Sequence, residues 1–405
     1  MRPPLRENLA GLRPIRGLLL SVAVARSSVM LFPFYAAYLG VTRDDLGQAG
    51  VGLVVGAFGV GALVADVVSG ALSRWVPERA VAVAGMVGVA LVVGCIPLTS
   101  GLWPLTVETA AWGFCHESVN PVAYAMVARA VPESARRFAF AAVRLAVNLG
   151  MGVGPVLAGA LFAVDPGLLV WGTVSGYLVA AGILVRARVG TDHVAEAGTK
   201  GPEPAGRSRH EQRFWSFFVA VLPIHLAYAL PPTVVSAYVV QELGHPPLWV
   251  SAVFAVNTIM VITCEIGLNH LMGRWRRKTA LLCGHVCALA GFGLMGLGAN
   301  PWLLVLATVV WTLGEMVLFP VMLDHVSAIS PGALRARNLG LYSAGVNVGV
   351  LAGPVVFLPL SAVLDAPAAW GVVAAVVAVG MTAIAGLSAA KGMWTGDEPA
   401  VAGNG

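Results

Sequence analysis

The sequence predicts an all-α membrane protein of twelve transmembrane helices in two parallel six-helix repeats. Three observations predict it. Of 405 residues, 58% are hydrophobic and only 11% charged, with a mean hydropathy of +0.82, whereas a soluble domain carries about 25% charged residues. The apolar residues are gathered into runs close to the about 20 residues that a helix needs to cross hydrocarbon. And the stretch VNLGMGVGPV at 147–156 returns as VNVGVLAGPV at 346–355, displaced by 346 − 147 = 199 residues.

Taken in order, the first six spans are predicted at 17–39, 50–72, 80–98, 102–127, 138–162 and 168–185. The first is too long for a signal peptide, lacks a small-residue cleavage site and is followed by further spans, so it is expected to stay in the membrane. The second six fall at 214–240, 248–272, 279–297, 302–325, 339–360 and 368–389. Basic residues set the orientation, because Lys and Arg are retained on the cytoplasmic side. With the N-terminus inside, every Lys and Arg falls in a cytoplasmic segment except Arg43, which lies outside, and Arg26 and Arg144, which lie within spans. Both termini are therefore expected to be cytoplasmic in the cell membrane. The pI near 9.1 then reflects topology, and no nucleic-acid partner is expected.

The repeat places the fourth and fifth spans over the tenth and eleventh. A shift of 199 aligns Trp112 with Trp311, Pro121 with Pro320, Asn148 with Asn347, Gly150 with Gly349, Gly154 with Gly353 and Pro155 with Pro354. Between the halves, 186–213 is polar, rich in Gly and Pro and without apolar periodicity, so it reads as a flexible cytoplasmic linker. The expected domains are 1–185, the linker 186–213, and 214–405 with a short cytoplasmic tail. Parallel six-helix repeats of this kind occur in transporters that rock two halves about a midplane site.

With Gly150, Gly154, Pro155 and Gly159, the fifth span resembles the G-x-x-x-G-P-x-x-x-G element of drug/proton antiporters of the major facilitator superfamily, and the resemblance covers nearly the whole chain. Small residues four apart let helices approach closely, and Pro155 withholds a backbone donor, as a hinge or gate surface requires. A second element departs from the family pattern. The loop after the second span, GALSRWVPER at 70–79, carries Arg74 where the family has an Asp. Asp66 is a candidate substitute for that latch.

Charges deep in a membrane are expensive and so are functional candidates. Arg26, Glu117, Arg144, Glu265 and Glu315 lie near the midplane or in the inner half of their spans, and the resemblance implies that these spans line a central cavity. Glu117 pairs with Arg144 in this reading, and Glu265 or Glu315 carries the proton in the second half; static neutralising pairs are the structural alternative. Glu117 shares a stripe with Pro121 and Tyr124, Arg144 with Asn148, and Glu315 lies between Trp311 and Phe319. Asn347 repeats Asn148. His116 and His225 titrate near neutrality when unperturbed, yet a lone membrane His commonly serves packing. Asp324 and His325 are expected to be solvated or capping. The five Cys all fall inside predicted spans and read as free thiols, with Cys283 and Cys287 as packing residues and no metal site.

The resemblance implies a secondary active transporter that exports a small amphipathic molecule in exchange for protons. It needs no cofactor beyond the proton gradient, and its expected partners are the substrate, protons and the lipid bilayer, with the chain a monomer. A symporter or facilitator importing a small nutrient is the nearest alternative, followed by a scaffold or membrane enzyme. No H-E-x-x-H, G-x-S-x-G or phosphate-cradling glycine loop supports the enzyme.

Overall fold

A computed structural model describes residues 12–72, 75–131, 133–187, 207–272, 275–297, 300–330, 332–387 and 393–394, and every regular element among them is helical. Most of the predicted linker, at 188–206, and position 74 of the latch loop lie outside the described residues.

The first span is two helices, α1 (Arg16–Ser27) and α2 (Leu31–Thr42), and spans two and three are α3 (Gly47–Leu72) and α4 (Glu78–Cys95). The fourth is again two helices, α5 (Leu102–Glu117) and α6 (Val119–Ala130), followed by α7 (Glu133–Val164) and α8 (Leu168–Arg186). The seventh comprises α9 (Arg207–Tyr228), α10 (Leu230–Ala237) and a π turn, Tyr238–Glu242. The remaining spans are α11 (Leu248–Met272), α12 (Arg277–Met295), α13 (Pro301–Ile329), α14 (Gly332–Ser361) and α15 (Ala366–Leu387). Among the described residues, eleven stretches are long and apolar enough to cross a membrane, one fewer than the twelve predicted spans. The predicted fourth span is the one without such a stretch; like the first and seventh it is interrupted, here at Ser118 into pieces of 16 and 12 residues.

Proline explains the interruptions. A Pro cannot donate to the carbonyl four residues back and its ring crowds that carbonyl. Pro33 acts in this way on Val29, Pro121 on Glu117 and Pro232 on Tyr228, and each of these residues lies at or beside a helix end. At two interruptions a serine hydroxyl adds a second bond to a carbonyl that its own N–H already reaches: Ser28 Oγ donates to the carbonyl of Val24 at 2.6 Å and Ser118 Oγ to that of Phe114 at 2.7 Å. At the start of α13, the Asn300 side chain accepts from the Trp302 N–H at 3.0 Å with Pro301 in the first turn.

Two compact units result, Met1–Gly198 with Pro232–Thr258, and Thr199–Pro231 with Ile259–Gly405. Within the first, α3 packs on α5 and α1 on α7. Glycine permits both contacts: a Cβ on Gly113 would run into the Phe58 carbonyl, and one on Gly150 would meet the side chain of Arg26 and the backbone N of Ser27, 2.8 Å away. The first unit also contains the predicted outer ends of the seventh and eighth spans. There Ser251 Oγ donates to the Pro155 carbonyl at 2.9 Å and Gln241 Nε2 to that of Ala37 at 3.2 Å. Arg43, the basic residue placed outside, donates to the carbonyls of Ile96, Pro97 and Thr99 at 3.1, 3.2 and 2.9 Å.

In the second unit α12 packs closely on α13, and α9 lies against α14 and α15. Ion pairs tie the predicted cytoplasmic ends within each unit: Arg129 with buried Glu78 at 3.1 Å, Arg277 with Asp324 at 2.7 Å and Arg337 with Glu211 at 3.2 Å.

Candidate functional site

In the first unit the interrupted spans bring five polar side chains into one chain of hydrogen bonds. Arg26 lies at the end of α1, His116 and Glu117 at the end of α5, Asn120 at the start of α6 and Tyr177 on α8. Arg26 Nη1 donates to His116 Nε2 at 2.9 Å, and Arg26 Nη2 donates to Asn120 Oδ1. Asn120 Nδ2 donates onward to Glu117 Oε1 at 3.0 Å, and His116 Nδ1 meets the Tyr177 hydroxyl at 2.7 Å.

Donor and acceptor roles follow from the arginine. A guanidinium has only donors, so His116 Nε2 is an acceptor and the ring is neutral, with its proton on Nδ1 facing Tyr177. Asn120 is oriented by the same logic, its oxygen to the cation and its nitrogen to the carboxylate. The site therefore holds a fixed positive charge and a carboxylate linked by neutral groups rather than by direct contact. His116 and Tyr177 are buried, while Arg26 and Glu117 are half-buried.

An aromatic wall adjoins this chain. Phe58 stands 5.5 Å from the His116 ring and 5.4 Å from Trp112, and Phe32 and Tyr35 pack on Trp112 at 5.7 and 5.3 Å between centroids. The Trp112 contacts are edge-to-face, a favourable aromatic geometry, and His116 beside them is buried.

The second unit holds a different arrangement. Tyr228 donates its hydroxyl to the Trp311 carbonyl at 2.7 Å, and its ring stands 5.4 Å from Phe319. His225 is 1% exposed, with the rings of Tyr342 and Phe319 at 4.9 and 6.1 Å. Among the described residues, neither nitrogen of His225 nor the Tyr342 hydroxyl has a hydrogen-bond partner. Glu315 and Glu265 are half-buried on α13 and α11.

Of the residues predicted from sequence, Arg26, His116 and Glu117 are thus brought together. The side chain of Arg144 lies outside the described residues, and Glu117 accepts from Asn120. Glu265, Glu315, His225 and Trp311 belong to the second unit. Tyr124 is exposed, with Phe140 at 6.0 Å, and Asn148, Asn347 and Asp66 are half-buried. Gly154 faces the α1 backbone, with the Ser27 carbonyl 3.1 Å from its would-be Cβ, and Gly353 lies against Leu230 at 3.2 Å; Pro155 and Pro354 are both buried. His325 departs from its expected solvated place: it is 1% exposed, between Phe217 at 4.5 Å and Trp394 at 4.6 Å, while its neighbour Asp324 is exposed as expected and pairs with Arg277. The cause is the helical phase, which turns consecutive residues about 100° apart.

Sequence reasoning missed Asn120 and Tyr177. Asn120 follows Glu117 by three residues, a spacing that places side chains within reach on a helical surface. Tyr177 is a lone hydroxyl in an apolar span, and a buried tyrosine usually finds a partner.

A family model described as Major Facilitator Superfamily matches residues 17–291 and 217–395. The uncharacterized MFS-type transporter YqjV of Bacillus subtilis is 22% identical over 333 residues, covering 80% of each chain. The uncharacterized MFS-type transporter Rv0849 of Mycobacterium tuberculosis is 26% identical over 387 residues, covering 88% of each. Among solved structures, a peptide transporter POT in complex with sulfate superposes with a TM-score of 0.80 at 15% identity, covering 95% of this chain and 96% of that one. The nucleoside transporter NupG gives a TM-score of 0.73 at 15% identity, covering 93% and 99%.

Proposed function

Because the chain belongs to the major facilitator superfamily, we propose that it is a secondary active transporter that works by alternating access and exports a small amphipathic molecule in exchange for protons. The observation that carries this reading is the hydrogen-bonded chain from Glu117 through Asn120 to Arg26 and His116. A carboxylate linked to a cation through a neutral amide keeps its charge stabilised, yet among the described residues it has no ion partner to dislodge before it takes a proton. A cationic amphipathic substrate and a proton compete for that carboxylate, and competition for one site is what exchange requires. The aromatic wall around Trp112 suits the apolar part of such a substrate.

The proton gradient supplies the energy, with no cofactor. The two repeats, 1–185 and 214–405, act as the rocking halves in the bilayer, with both termini cytoplasmic and the chain monomeric. The export direction rests only on the resemblance of the fifth span's glycine–proline pattern to that of drug/proton antiporters.

A second reading has an observation of its own. Arg26 meets neutral acceptors, His116 and Asn120, so an anionic or zwitterionic substrate would find a guanidinium ready to bind it. Substrate anion and proton would then occupy the site together, which makes a symporter.

The test is transport by the purified chain in liposomes with an imposed pH gradient, using hydrophobic cationic dyes alongside a dipeptide and a nucleoside. Dye movement opposite to the proton flow, abolished by Glu117→Gln, is the expected result. Dipeptide or nucleoside movement along the proton flow, abolished by Arg26→Ala, would overturn exchange in favour of symport.

A further inference from the structure

The candidate site is built across an interruption. Glu117 ends α5, Ser118 interrupts the span and Asn120 stands in the first turn of α6, so the bond from Asn120 to Glu117 joins two helices. Pro121 has no N–H to donate to the Glu117 carbonyl. The ladder that would fix α6 on α5 is thus incomplete, and the neighbours of α6 help to set its place. The chief one is α4. Val119, Val122 and Met126 are buried at spacings of three and four residues, and Arg129 continues that stripe at the far end of α6. At the near end a Cβ on Gly85 of α4 would lie 3.0 Å from Val119 Cγ2. At the far end Arg129 Nη2 meets Glu78 Oε1, in the first turn of α4, at 3.1 Å. Glu78 and Gly85, seven residues apart, share a face of α4, so these contacts mark one antiparallel packing line.

Its two kinds of contact do different things. Apolar burial is non-directional; it presses α6 onto α4 but tolerates sliding along it. The ion pair does not. Glu78 is 2% exposed, and its Oε2 has no hydrogen-bond partner among the described residues, so losing Arg129 would strand a buried charge. A slide by one residue along α6 is about 1.5 Å. That is enough to carry Asn120 Nδ2, now 3.0 Å from Glu117 Oε1, out of hydrogen-bond range.

The second unit supplies a contrast. There Arg277, which opens α12, pairs with Asp324 of α13 at 2.7 Å. But α13 runs unbroken from Pro301 to Ile329 and Asp324 is 61% exposed, so that pair has no interrupted segment to place.

We propose that Glu78 and Arg129 form a positioning pair for the candidate site: they fix α6 along α4 and so hold Asn120 where it bridges Arg26 and Glu117. The pair touches neither substrate nor the transported proton and acts through Asn120. In its place the Asn120 N–H stabilises the Glu117 carboxylate, and with α6 displaced the neutral acid gains. The other charged or titratable side chains on the elements around Glu117 are His116 and Tyr177, bonded to each other, Cys115 and Asp66, both half-buried, Glu108, nine residues back along α5, and Arg79 of α4, which donates to the Val185 carbonyl. Those of α7 lie outside the described residues. This deepens the proton-coupled reading, and its bearing on transport rests on that reading.

The experiment is pH-difference infrared spectroscopy on the purified full chain in lipid, with no substrate present. The carboxylic-acid carbonyl band of Glu117 is identified by its loss in Glu117→Gln. Asn120→Leu removes the donor directly and is expected to raise the pH at which that band appears by about one unit. Arg129→Gln is expected to shift it in the same direction, Arg129→Lys, which keeps the charge, to leave it near its place in the unmodified chain, and Arg277→Gln to leave it unmoved. Arg129→Gln added to Asn120→Leu should move the band no further, because both act through one bond, whereas a charge acting at a distance would add its own shift. Should Arg129→Gln fail to fold, Glu78→Gln together with Arg129→Gln strands no charge and takes its place, with the same shift expected. A band unmoved in the folded variants, or shifts that add in full, overturns the positioning pair. Because no substrate is used, a non-additive shift in a chain that exchanges nothing for protons would fault the transport reading alone, and exchange by a chain whose band ignores Arg129 would fault the pair alone.

Discussion

Asn120 presents the two ends of one amide to opposite charges, Oδ1 to Arg26 and Nδ2 to Glu117. Asn120→Leu keeps the size and removes both bonds, leaving a half-buried cation and a half-buried carboxylate each short of a partner. Hydrogen bonds to charged groups contribute about 1.5–3 kcal/mol in soluble proteins, and membrane pairs average about 0.6 kcal/mol. Asn120→Leu should therefore lower stability by about 1–3 kcal/mol, read as an earlier thermal unfolding in detergent. Asn120→Asp should fall between the two, since it restores the acceptor for Arg26 but sets a carboxylate beside Glu117. Tyr177→Phe removes only the acceptor of His116 Nδ1 and should cost about 1 kcal/mol, with an unchanged fold by circular dichroism. Arg26, His116 and Glu117 were legible in the sequence because a membrane makes charged and polar residues conspicuous. Their connection was not, because it depends on the rotational phase of α1, α5, α6 and α8 against one another, and no residue encodes that alone.

Glycine decides how closely the elements approach. At Gly150 and Gly349 an added methyl group would press on the backbone of α1 and α9, at 2.8 Å from the Ser27 nitrogen and 2.5 Å from the His225 oxygen. Backbone cannot rotate away as a long side chain can. Gly150→Ala and Gly349→Ala should each destabilise by about 1–3 kcal/mol, the usual cost of overpacking. Gly371→Ala, in α15 with no atom within 4 Å of its would-be Cβ, should instead stabilise by about 0.5–1 kcal/mol through helix propensity. Equal behaviour of all three in thermal unfolding would remove the case for a close-approach role. The glycine–proline pattern was readable because small residues and prolines are visible in any sequence. Where a proline interrupts its span was not. Pro33 and Pro121 stand beside interruptions, whereas Pro155, Pro320 and Pro354 lie inside continuous helices. The outcome depends on which neighbours satisfy the carbonyls a proline frees, and those neighbours belong to other spans.

At the scale of the molecule, the repeat and the packing divide the chain differently. Comparison of the two halves places the boundary in 186–213, yet residues Pro232–Thr258 pack with the first unit. A repeat records which residues correspond, and says nothing of which contacts one conformation makes. Those contacts lie at the predicted outer ends: Ser251 Oγ on the Pro155 carbonyl, Gln241 Nε2 on that of Ala37, and Ser251 Cβ 3.0 Å from the would-be Cβ of Gly159. Alternating access requires the second half, including 232–258, to part from the first at that end. Gly159→Cys with Ser251→Cys, in a chain whose five free cysteines are replaced by serine, tests this. A relaxation of about half an ångström brings the two Cβ atoms into the range of about 3.5–4.5 Å that a disulfide spans. Oxidation should then link the pair within one chain and stop transport in liposomes, and a reductant should restore it. If the linked chain transports at the rate of the reduced one, these outer segments do not separate, and the cycle must open elsewhere.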